Sequence, residues 1–122
     1  MSVNEYAVGQ RDTRPWGEWE VIAVGEGYAV KRIRVSPGGC LSLQTHKHRV
    51  EHWSVVAGVA RVTIDAAQTD VPAGHSVDIG LGAKHRVENR GTEDAVFIEI
   101  QRGAILREDD IERYEDIYGR TT

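Results

Sequence analysis

A chain of 122 residues can bury one real core, so a single domain over 1–122 is expected. Hydrophobic residues at 40% and charged residues at 28% give an ordinary globular balance. The net charge of −4 argues against a nucleic-acid surface driven by bulk charge, and no apolar run approaches membrane-spanning length, so neither nucleic acid nor membrane is expected as a partner. Residues 1–10 carry no signal-peptide core, and Cys40, the single cysteine, cannot make an internal disulfide. Both points fit a cytoplasmic setting.

Residues 1–13 are polar and unpatterned and read as an N-terminal arm. Thr13-Arg-Pro-Trp-Gly17 is a turn signal. Trp19 to Val24 and Tyr28 to Val35 then read as strands, divided by Gly25-Glu-Gly27 and stopped by Ser36-Pro-Gly-Gly39. Leu41 to His46 and His52 to Ala57 flank a turn at Lys47 to Glu51. Ala60 to Ile64, Thr69 to Val71, Ser76 to Ile79, His85 to Asn89 and Ala95 to Gln101 are further short strands.

Many short strands between Gly- and Asx-rich turns predict an all-β sandwich or barrel. The tail reads differently. From Glu108 to Gly119 the apolar residues Ile111, Tyr114, Ile117 and Tyr118 fall near helical spacing, with acids at the start and glycine at the end. The pattern predicts one short helix over 108–119, its acidic face in solvent. The arm and the exposed strand edges of so small a barrel point to a homodimer.

Polar residues at strand positions mark a site. Gln44 and His46 are two apart, so on a strand they share a face. Glu51 follows after a turn, and His85 comes from a distant segment behind Gly80-Leu-Gly-Ala83. These four side chains can close on one ion, with Gln44 alternatively a hydrogen-bonding neighbour. Burying such a set without an ion would be costly. His48 shares the parity of Gln44 and His46 if the strand runs that far, or lies at the rim. On the last strand Phe97, Glu99 and Gln101 share one face, so Glu99 looks either into a cavity or into solvent. Lys31 alternates with Ile33 and Val35 and should point inward, where it needs an anionic partner: a ligand phosphate, or Glu99 or Asp78.

These segments resemble the paired motifs of the cupin family. Gly38, Gln44, His46, Glu51 and Gly58 stand at the first motif's intervals, with Gln44 replacing the usual His. Gly74, Gly82, His85 and Asn89 match the second, with Gly80 where Pro is usual. Arg14-Pro-Trp-Gly-Glu-Trp-Glu20, Val30-Lys-Arg-Ile-Arg-Val-Ser-Pro-Gly38, the Leu41–Trp53 stretch, Gly82-Ala-Lys-His-Arg-Val-Glu-Asn89 and the Glu108–Arg120 tail extend the match. Over most of the chain they are similar to the type II mannose-6-phosphate isomerase cupin. In that family the cupin is often the C-terminal half of an enzyme whose other half is a mannose-1-phosphate guanylyltransferase, and this chain resembles a stand-alone form.

The resemblance implies a double-stranded β-helix (jelly-roll) fold. It also implies a divalent metal held by Gln44, His46, Glu51 and His85, with Zn first and Fe, Mn, Co and Ni open. The implied activity is isomerisation of a sugar phosphate, mannose 6-phosphate to fructose 6-phosphate. Glu99 and His48 are then competing base candidates. Lys31, Arg49, Lys84 and Arg86 are the phosphate candidates. Thr45 and Lys47 depart from the residues common there. A metal-dependent dioxygenase and a non-catalytic metal- and sugar-binding cupin are the alternatives, because a fold does not settle a function.

Overall fold

The computed structural model describes residues 2–119. Thirteen strands follow in order: β1 (Val3–Asn4), β2 (Arg11–Arg14), β3 (Gly17–Gly25), β4 (Tyr28–Val35), β5 (Leu43–Thr45), β6 (Val50–Ala57), β7 (Val59–Ile64), β8 (Ala67–Pro72), β9 (Ser76–Ile79), β10 (His85–Glu88), β11 (Ala95–Arg102), β12 (Ile105–Leu106) and β13 (Glu112–Glu115). Among the described residues there is no helix.

A six-stranded sheet runs β2-β3-β4-β11-β6-β9 and a five-stranded sheet β13-β5-β10-β7-β8. Alternation decides which side chains lie between them. On β4, Ala29, Lys31, Ile33 and Val35 are buried; on β11 the buried set is Ala95, Phe97, Glu99 and Gln101. On β6 it is Glu51, Trp53 and Val55. One stretch of this inner face is apolar, built on Val35, Val55, Phe97 and Ala95 against Val62, Val71 and Val87. Another is polar, because register sets Glu99 opposite both Lys31 and Trp53, and Gln101 opposite Glu51.

The N-terminal segment lies on its own body. β1 pairs in parallel with β12, and Tyr6 is buried in the core. β2 extends the large sheet by pairing with β3.

The helix expected over 108–119 is absent. β13 instead pairs with the edge of β5, with Glu112 opposite Thr45 and Arg113 opposite Gln44. A helix this short is marginal in water, and an unpaired strand edge offers hydrogen bonds that it cannot match. Nor is there one apolar face to bury: Ile111 lines a cavity, Ile117 is exposed, and the Tyr114 hydroxyl meets Thr45 Oγ1 at 3.2 Å.

The β6–β7 corner depends on Gly58, whose φ is +69°. A Cβ there would also run into the Asp94 carbonyl oxygen. Gly58→Ala should therefore destabilise the fold by about 1–3 kcal/mol, the usual cost of a strained left-handed residue. Urea unfolding of the two proteins measures it, and equal midpoints would refute it.

Candidate metal centre

The polar part of the inner face opens into a cavity between the sheets. Gln44, Arg49, Glu51, Trp53, His85 and Glu99 line it, with Trp19 and Lys31 further along. Each arrives by a different route. Glu51 sits near the start of β6, while His85 begins β10 directly opposite Gln44 of β5. His46 lies just past the end of β5, in a loop without strand pairing.

His46, Glu51 and His85 each present a ligand atom within 4.8 Å of the others, and all three are buried. His46 Nε2 is 3.2 Å from Glu51 Oε2. His46 Nδ1 lies 2.6 Å from the Asp110 carbonyl oxygen, and His85 Nδ1 lies 2.9 Å from that of Ala83. A carbonyl can only accept, so both Nδ1 atoms carry the proton, and Nε2 is the nitrogen that each ring could offer a cation. A ring fixed through its far nitrogen is the usual support of a metal-binding histidine. The donor set fits a divalent ion of the imidazole- and carboxylate-binding kind. Gln44 lines the same cavity, and its Nε2 donates to the Ser42 carbonyl and hydroxyl at 3.3 and 3.1 Å.

The remaining sequence candidates divide. Glu99 faces the cavity, where Trp53 Nε1 and Gln101 Nε2 donate to its two oxygens at 3.1 and 2.8 Å. His48 does not: β5 ends at Thr45, the strand parity lapses, and His48 is exposed in a separate cleft beside Arg107 and Asp109. Lys31 is 3% exposed, and its partner is neither Glu99 nor Asp78 but Glu108, at 2.7 Å. Asp78 pairs on the surface with His52. Arg49, a phosphate candidate, is buried, its Nε 2.7 Å from Glu51 Oε2. Arg86 lines the cavity and reaches Glu115 at 3.0 Å. Lys84 is exposed and lies over the Tyr114 ring, outside the cavity.

Sequence reasoning missed the tail's part in this site. Glu108 and Asp110 were expected in solvent with the acidic helix face; Asp110 is buried instead, and Glu108, though exposed, is held against the core by Lys31. Glu108 Oε2 accepts from Lys31 and from the Tyr6 hydroxyl, the latter at 2.6 Å. Asp110 is buried and accepts through its carboxylate from the Lys47 and His48 amides. The available signal was Lys31 itself, a buried cation that demands a carboxylate.

The family profile described as "Mannose-6-phosphate isomerase C-terminal" matches residues 2–116. The chain belongs to this family. It is 49% identical over 88% of its length to the alginate biosynthesis protein AlgA of Pseudomonas syringae pv. tomato, covering 22% of that protein. It is 48% identical over 96% of its length to the mannose-1-phosphate guanylyltransferase ManC of Salmonella typhimurium, covering 24%. The chain thus spans about a quarter of the curated relatives it matches. Among solved structures, Staphylococcus aureus CapF, a capsular polysaccharide assembling protein, superposes with TM-score 0.76 at 20% identity, over 92% of this chain and 34% of that one. The Cnp3 cupin domain of Schizosaccharomyces pombe superposes with TM-score 0.68 at 15% identity, over 70% of this chain and 64% of that one. The all-β body therefore has the cupin fold. The isomerase expectation is overturned: the relatives are named for guanylyl transfer and alginate synthesis, not for isomerisation. The dioxygenase and binding-protein alternatives gain nothing from these names.

Charge in the cupin cavity is arranged around Glu51. Burial alone would raise its carboxyl, but Arg49 and then His46 outweigh burial and hold it well below the usual range. Burial, aided by Arg49 and His85, lowers the His46 imidazole to about 4, so at neutral pH the ring is uncharged. Burial and the charge of Glu51 push Glu99 up to about 8. Arg49 Nη2 also lies 3.4 Å from His46 Nε2, so it must draw back for a cation to take that lone pair.

Metal-free protein should show this in its pH profile. Folded Glu99 keeps its proton up to about pH 8, whereas an unfolded Glu ionises near ~4.3. Between these values the folded state binds more protons, so rising pH removes stability. His46 acts in the opposite direction, but only below its unfolded value near ~6.5. Melting temperature in chelator should then fall from about pH 6.5 to 8.5, and Glu99→Gln should flatten that decline. An unchanged slope in the variant would refute the assignment of the proton to Glu99.

Proposed function

We propose that this cupin serves GDP-mannose synthesis, working with a mannose-1-phosphate guanylyltransferase as a metal-centred site for a mannose phosphate. Zinc is the proposed ion and the cytoplasm the proposed setting. The observation that carries the reading is a buried His46–Glu51–His85 triad, two of whose members, Glu51 and His85, line a cavity with cationic and hydrogen-bond-donating walls.

Lys31, Arg14 and Arg86 face this cavity. Trp19 Nε1 is buried there without an acceptor. A buried donor left unmatched is costly, and an oxygen-rich ligand would satisfy it. The phosphate falls to the cationic wall, with Lys31 pre-set by Glu108 and by the Tyr6 and Trp19 rings at 4.4 and 4.2 Å. The sugar hydroxyls fall toward the triad and Glu99. When bound, a divalent ion supplies Lewis-acid attraction for such oxygens. Names among the relatives support mannose 1-phosphate as the first ligand to test, since guanylyl transfer to it is what ManC is named for.

Purified protein should carry one divalent ion per chain by elemental analysis, and His46→Ala and His85→Ala should each lose it while remaining folded. Zinc-loaded wild type should bind mannose 1-phosphate saturably in calorimetry, and the two variants should not. Full zinc occupancy with no heat from mannose 1-phosphate would remove the ligand reading and leave the metal reading standing.

A homodimer is proposed as well. β2 and β9 end the large sheet, and β13 and β8 the small one, leaving edges that a second copy can cover. Light scattering should give twice the 13.6 kDa chain mass, and a monomer at every concentration would reject it.

A further inference from the structure

We propose that Asp110 is a positioning residue for the metal centre, setting ion affinity from the C-terminal tail through the ring of His46. The inference rests on reading the cavity as a metal site.

Asp110 acts through both of its halves. Its carbonyl oxygen accepts the His46 Nδ1 proton at 2.6 Å. Its carboxylate accepts the backbone N–H groups of Lys47 at 2.9 Å and His48 at 3.0 Å, one on each oxygen. These three bonds cover consecutive residues of a loop that has no strand pairing, because β5 ends at Thr45. The ring is thus fixed from one side and the backbone that carries it from the other. Asp110 is itself held. Its N–H reaches the Arg107 carbonyl at 3.3 Å, and that carbonyl also accepts from Arg49 Nη1 at 3.0 Å. Arg49 in turn grips Glu51, so two of the three triad members are braced against the same turn of the tail. A ligand orientation fixed this way is worth about 10- to 100-fold in metal affinity.

The test uses the full chain as Asp110→Ala, Asp110→Asn and, as a control on the same tail, Glu112→Gln. Zinc affinity is measured by competition with a chromophoric chelator, and the visible spectrum of the cobalt-substituted protein reports coordination geometry. Asp110→Ala keeps the backbone carbonyl but frees the Lys47 and His48 amides, and with the loop that carries the His46 ring released it should weaken zinc binding by about 10-fold and alter the cobalt spectrum. Asp110→Asn keeps one acceptor oxygen and should lose less, and Glu112→Gln should match wild type. A purely structural role would lower the melting temperature and leave the cobalt spectrum of the folded protein unchanged. If Asp110→Ala does not fold, Asp110→Asn decides the matter. Wild-type affinity and spectrum in the folded Asp110 variants would overturn the proposal. A wild-type chain that takes up no ion would instead remove the metal reading, and this inference with it.

Discussion

The burial of one negative charge organises this molecule. Glu51 has lost nearly all contact with water, and an unmatched carboxylate could not persist there. Arg49 supplies the match, with Trp53 donating to the other oxygen at 2.9 Å. Arg49 then has donors to spare, and one reaches the Arg107 carbonyl on the tail. Glu99, across the sheet, cannot hold a second charge beside Glu51 and retains its proton. The ionised carboxylate and the neutral carboxyl follow from one electrostatic constraint, whereas His46 is neutral because of its own burial, against the pull of Glu51.

Most of the scaffold was legible in the sequence because alternation is a local property. Tyr28–Val35 and Ser76–Ile79 are strands at the residues where pattern and turn signals put them. The same parity turned Lys31 and Glu99 inward. Motif spacing brought His46, Glu51 and His85 to one point. Parity did not extend to His48, whose other reading was a place at the rim, because parity holds only while a strand continues. Arg49 shows another limit: a basic residue in a motif loop looks like a ligand-binding cation until its buried partner is known.

The tail was misread for a related reason. A short segment with apolar residues three apart satisfies a helical pattern, and only the free edge of β5 decides against it. That edge is a tertiary fact. So are the contacts of Glu108 with Lys31 and of Asp110 with the His46 loop, each between residues far apart in the chain. The function was misread from a different direction. Ligand spacing speaks to the metal chemistry a cavity can host, but the isomerase label came with a family resemblance, and the relatives' own names point elsewhere.

The distances along the chain between the parts of this site carry a consequence for how it assembles. Tyr6 and Glu108 are 102 residues apart, Lys31 and Glu108 are 77 apart, and His46 and Asp110 are 64 apart. Each closure spends chain entropy before any bond rewards it, and loops of this span make folding slow relative to local structure. A nascent chain that has not yet delivered residues 107–110 has Glu51 matched by Arg49 and Trp53, but lacks the tail's bonds to Arg49 and to the His46 ring. The proposed ion site is therefore complete only once residues 107–110 have docked, at the end of the longest chain closures.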